Sequence, residues 1–68
     1  MNIEVEINGE KRPLRGDATI AELLAELGFA AGQIAVERNG RIVRRAEHGT
    51  TTVADHDRLE IVTLVGGG

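Results

Sequence analysis

Met1 to Ile7 alternates between apolar and polar positions. Ile3, Val5 and Ile7 face one way and Asn2, Glu4 and Glu6 the other, the period of a half-buried strand. Asn8-Gly9 follows, and it predicts a type I′ hairpin because both central residues of that turn need positive φ. Glu10 to Leu14 then returns antiparallel, and Pro13, which has no N–H to donate, puts this strand at a sheet edge. Gly16-Asp17 breaks the pattern before a short helix. Thr19 is its N-cap, Glu22 completes a capping box, and Ile20, Leu23, Leu24 and Leu27 form one apolar face. Gly28 fits the left-handed position that ends a helix.

Gln33 to Arg38 predicts a third strand with Ile34 and Val36 on one face, and a second turn, Asn39-Gly40, leads into Arg41-Ile42-Val43. Arg44 to Asp57 is polar and reads mostly as loop, with Thr51 to Val53 a short extra strand or turn. Arg58 to Val65 is the final strand. Apolar on both faces after Glu60, it belongs at the centre of the sheet with the helix over one side. Hairpin, helix, strand pair and last strand, in that order, predict an α+β domain: a β-grasp (ubiquitin-like) fold. Its mixed four- to five-stranded sheet has the first and last strands adjacent and one helix across one face. Residues 1–65 form the domain and 66–68 a flexible tail of three glycines.

At 68 residues the chain is one domain, and without cysteine neither a disulfide nor a thiolate metal site can stabilise it. Aliphatic side chains and the single Phe29 must fill the core. A net charge of −3 with interspersed signs argues against nucleic acid as the main partner, and the missing Trp and Tyr argue against base stacking. No apolar run is long enough for a membrane span, and the N-terminus lacks the blocks of a signal peptide, so a cytoplasmic protein is expected.

His48 and His56 have neither a metal-ligand spacing nor a nucleophile beside them. Asp55 and Asp57 read as turn formers, and Arg38, Arg41, Arg44 and Arg45 as solvated hairpin charges. No nucleophile motif or phosphate loop is present, so the chain reads as a substrate or carrier for other enzymes. The chemistry is expected in the tail. Glycines without Cβ atoms fit a narrow channel, so Gly66 and Gly67 would thread into an activating enzyme while Gly68 supplies the reacting carboxylate. With Leu59 and Ile61 facing the helix, Val62 and Leu64 face outward beside the tail and form the expected docking surface for a partner protein.

The pattern resembles the ThiS sulfur carriers of thiamine (thiazole) biosynthesis over essentially the whole chain. The likeness lies in Val5-x-Ile7-Asn8-Gly9, Thr19-Ile20-x-x-Leu23-Leu24-x-x-Leu27-Gly28 and Ala35-Val36-Glu37-Arg38-Asn39-Gly40-x-Ile42-Val43. It continues through Asp57-Arg58-Leu59-Glu60-Ile61-Val62 to Val65-Gly66-Gly67-Gly68. Two positions depart from the family pattern: Arg44, where a Pro-Arg pair usually begins, and His56, where a Gly-Asp turn usually begins.

The resemblance implies a carrier, not an enzyme, with no cofactor of its own. An E1-like (ThiF-type) adenylyltransferase would use ATP to adenylate Gly68. A sulfur-transfer enzyme carrying a cysteine persulfide would convert that end to a thiocarboxylate, and a ThiG-type thiazole synthase would accept the sulfur. The same fold and tail also fit a molybdopterin synthase small subunit, a ubiquitin-like protein modifier, or a binding domain whose tail is irrelevant.

Overall fold

The computed structural model describes residues 1–29 and 34–63. Among these residues five strands, β1 (Asn2–Ile7), β2 (Glu10–Arg15), β3 (Ile34–Arg38), β4 (Arg41–Val43) and β5 (Arg58–Thr63), form one sheet in the order β2-β1-β5-β3-β4. Strands β1 and β5 are parallel and the other pairs antiparallel, so the sheet is mixed and the first and last strands lie side by side as expected. This is the β-grasp arrangement. Gln33, Leu64 and Val65, assigned to strands from the pattern, lie outside the described residues.

Both hairpins turn as their Asn-Gly pairs require. Asn8 and Gly9 have φ of 51° and 88°, and Asn39 and Gly40 have 52° and 85°. Pro13 sits opposite Glu4 on the edge strand β2, where its missing N–H leaves no ladder partner unsatisfied.

The helix, α1 (Ile20–Glu26), lays Ile20, Leu23 and Leu24 onto the sheet, and Gly28 leaves it with φ of 84°. The helix start accounts for all four of its exposed donors. The Thr19 N–H donates to Glu22 Oε1 and the Glu22 N–H to Thr19 Oγ1, which is the capping box. The Ile20 and Ala21 N–H groups donate to the carbonyls of Thr51 and His48. The 44–57 segment is thereby fastened to the helix. It contains a 3₁₀ turn, Arg45–Glu47, and Thr51 to Val53 contributes one bridge, Thr19 to Thr52, in place of a strand.

Val5, Ile7 and Leu14 from the first hairpin, Ile20, Leu23 and Leu24 from α1, and Val36, Leu59 and Ile61 from β3 and β5 make one core. Ala18 and Val53 close it at the helix start, and Phe29 packs against it from the edge. Burying an aliphatic side chain of this size stabilises by about 1.5–3 kcal/mol, so a few such residues decide the stability of so small a domain.

Leu59 is fully buried and Val62, three residues on in the same strand, is exposed. Leu59→Ala is expected to cost about 2–5 kcal/mol in urea unfolding, and Val62→Ala to stay within about 0.5 kcal/mol. Equal losses would mean that β5 does not face the core through Leu59.

Candidate functional site

Strand β5 leads towards the glycines, so the site is built around its far end. Gly66, Gly67, Gly68 and Leu64 lie outside the described residues, which end at Thr63. The outward position of Val62 is as expected: it is 52% exposed, while Leu59 and Ile61 on the opposite side of the strand are buried against the helix. Its direct neighbour on β3 is Ala35, and the next pair along the outer face is Glu37 opposite Glu60. Beyond Glu37 lies Ile42 of β4, 71% exposed. The outer face near the tail therefore alternates aliphatic and acidic side chains.

The end of β5 nearest Arg58 is held by a buried carboxylate. Asp57 Oδ2 accepts from Arg38 Nε at 2.6 Å and from the Ala54 N–H at 2.8 Å, while Oδ1 accepts from Asn39 Nδ2 at 2.9 Å. Burial opposes the charged form. The Ala54 N–H, the Arg38 guanidinium and the Asn39 amide outweigh it and hold the carboxyl below the usual carboxylate range. Asp57 is a turn former, as its position suggested, but the turn is only part of its role. The reading of Arg38 as a solvated charge is overturned, because its guanidinium is drawn in by a carboxylate that is only 7% exposed. Arg41, Arg44 and Arg45 are exposed and make no ion pair among the described residues.

The two turn asparagines serve β5 with their side chains as well as their φ angles. Asn39 Oδ1 accepts from the Arg58 N–H at 2.9 Å, and the Asn39 N–H donates to the Arg58 carbonyl. Asn8 Oδ1 accepts from the Ile61 N–H at 2.7 Å, and Asn8 Nδ2 donates to the Ile61 carbonyl at 3.1 Å. Sequence reading placed both residues in turns and missed these contacts. Asparagine in place of aspartate at each turn is the only local sign of them, since an ionised Asp cannot donate.

His48 is buried, with Nε2 3.1 Å from the Val43 carbonyl, so that nitrogen carries the proton. Its role there is to tie the loop to β4. His56 is exposed and has φ of 69°, the left-handed conformation that the glycine of the family pattern would adopt without a Cβ penalty. No group of three or more potential metal ligands occurs among the described residues. No helix among them is long and apolar enough to cross a membrane.

Residues 5–68 match the model of the ThiS family. The chain is 34% identical over 65 residues to the sulfur carrier protein ThiS of Bacillus subtilis, covering 94% of this chain and 98% of that one. It is 45% identical over 62 residues to a thiazole synthase of Paramagnetospirillum magneticum, covering 91% of this chain but only 19% of that much longer protein. The crystal structure of the thiamine biosynthesis protein ThiS from Geobacter metallireducens superposes with a TM-score of 0.83 at 30% identity, covering 97% of this chain and all of that one.

Because Asp57 has a lowered pKa when folded, the unfolded chain binds the proton more readily. The stability it contributes is present above about pH 4 and is lost as pH falls through its folded value. Asp57→Asn is expected to lower stability at neutral pH by about 1–2 kcal/mol and to flatten the acid limb of a urea-unfolding pH series. An unchanged limb would place the acid sensitivity elsewhere. His56→Gly is expected to raise stability by about 0.5–1 kcal/mol by relieving the left-handed strain, and a lower midpoint in thermal melts would contradict this.

Proposed function

The chain belongs to the ThiS family, whose members include sulfur carrier proteins of thiamine biosynthesis, and on that footing we propose that it carries sulfur as a thiocarboxylate on Gly68. The observation that carries the proposal is the family match itself, which runs on through Gly66, Gly67 and Gly68.

The chemistry has three steps. A Gly68 carboxylate oxygen attacks the α-phosphorus of ATP on an E1-like partner and displaces pyrophosphate, giving the acyl-adenylate. The terminal sulfur of a cysteine persulfide on a sulfur-transfer enzyme then attacks the acyl carbon, and AMP leaves. A thiol finally cleaves the S–S bond, releasing the thiocarboxylate and leaving a disulfide behind. Activation is needed because oxide is a poor leaving group, whereas AMP is a good one.

This chain has no cysteine, so every sulfur atom in the sequence of steps comes from a partner or rides on the C-terminus. Gly66 and Gly67 thread the partner's channel, since a residue without Cβ can lie close to its walls. Val62 and Leu64 dock the body of the domain against that partner. A thiazole synthase is the consumer of the sulfur, a reading supported by the similarity to part of a thiazole synthase chain.

Intact mass spectrometry after incubation with an E1-like enzyme, ATP and a persulfide donor tests the proposal. The expected result is a gain equal to the replacement of one oxygen by one sulfur, absent when Gly68 is deleted. An unchanged mass with an enzyme active on a known carrier would sink it. Isopeptide conjugates on lysines would instead indicate a protein modifier.

A further inference from the structure

Towards the tail, the two edges of β5 are held very differently. On one edge β3 runs alongside to the last described residue, pairing Ile34 with Thr63. On the other edge β1 pairs with β5 only as far as Ile7 opposite Leu59 and then turns away at Asn8-Gly9. Successive residues of a strand direct their backbone groups to alternate edges. The next N–H and C=O on the β1 edge after Leu59 are therefore those of Ile61.

Those two groups are met by a side chain. Asn8 first donates its own N–H to the Leu59 carbonyl, which is the last backbone step of the ladder. Its carboxamide then accepts from the Ile61 N–H and donates to the Ile61 carbonyl, at 2.7 and 3.1 Å. A carboxamide has the donor and acceptor of a peptide group, so Asn8 supplies one further rung after its own strand has ended. Its φ of 51° is one that asparagine tolerates better than most residues, so a single side chain both makes the turn and extends the ladder.

We infer that Asn8 is a positioning residue for the tail: by holding Ile61 on the edge that β1 abandons, it fixes the direction in which the chain leaves the body towards Gly68. The inference rests on the carrier reading above. A fully extended chain from Ile61 to Gly68 spans at most about 24 Å, and its last three residues, all glycine, offer no side chains by which a partner could steer the reacting end. The direction set at the base then decides how often the carboxylate meets the α-phosphorus of ATP, while docking through the outer face is unaffected. Loosening the base spreads the carboxylate over a larger volume and lowers the fraction poised to react.

The test is Asn8→Gly, which keeps the positive φ and removes the carboxamide, beside Asn8→Asp, which keeps the acceptor and loses the donor. Each is compared with the native chain in pyrophosphate release by an E1-like enzyme, in amide hydrogen exchange at Ile61 and in thermal unfolding. At a temperature where the variants remain folded, Ile61 exchange is expected to accelerate in Asn8→Gly and far less in Asn8→Asp, which still accepts from the Ile61 N–H. The KM for the carrier should stay within about twofold and kcat fall about tenfold in Asn8→Gly, with a smaller fall in Asn8→Asp. A merely structural role would lower the melting temperature and leave kcat of the folded protein unchanged, and that result would overturn the inference. A rise in KM with constant kcat would overturn it too, by placing Asn8 in the docking surface. If Asn8→Gly does not fold, the Asp variant decides by the same criteria. No pyrophosphate release from the native chain, with an enzyme active on a known carrier, would remove the carrier reading itself and this role with it.

Discussion

The aliphatic face of α1 lies against Leu59 and Ile61 of the central strand, with Val5 and Val36 beside them. A chain without cysteine and with one aromatic residue has no other means of forming a stable body. Because β5 sits between β1 and β3, its two buried side chains join hydrophobic contributions from both halves of the sheet. Each half brings one hairpin that would be marginal by itself. The helix, shorter than an isolated helix that persists in water, is stable only through this docking and through the full accounting of its N-terminal donors.

The polar contacts follow from that arrangement. A strand at the centre of a narrow sheet has neighbours that turn away before it ends, and its backbone groups need partners there. Asn39, itself held by the Asp57 carboxylate, meets that need at the Arg58 end, and Asn8 meets it at Ile61. Asp57 stays charged while nearly buried because three donors converge on it, which offsets the loss of water that burial imposes. One central element is thus fixed along its length by groups from both hairpins and from the loop before it.

A central strand bonded along its length would suit the carrier role proposed above. A protein that presents its own terminus to several enzymes needs a firm base and an end narrow enough to enter their sites. It also needs a surface that each partner can grip. The outer face around Val62, Ala35 and Ile42, interspersed with Glu37 and Glu60, lies on the side of the sheet that the helix leaves uncovered. Opposed carboxylates on adjacent strands add nothing to the stability of the isolated domain, so stability does not account for their placement beside exposed aliphatic side chains.

Local pattern was enough for the elements. The alternation of Ile3, Val5 and Ile7, the two Asn-Gly turns, the Thr19 and Glu22 box and the spacing of Ile20, Leu23, Leu24 and Leu27 each depend on neighbours within a few residues, and each appears where the pattern put it. The central place of β5 was legible too, from the apolar run after Glu60, although its outer face carries Glu60 and Val62 in the open and only Leu59 and Ile61 are buried. The 44–57 segment was not legible in detail, since its bonds run to the helix start. The roles of Arg38, His48 and Asn8 were hidden for the same reason. Their partners are Asp57, Val43 and Ile61, and the pair Asn8 and Ile61 is separated by 53 positions in the chain. By itself the sequence determined the strands, the turns, the helix and the family likeness, because periodicity and φ preference act over short range. Only the tertiary structure decided which polar side chains serve the central strand, because a hydrogen bond depends on distances that folding alone creates.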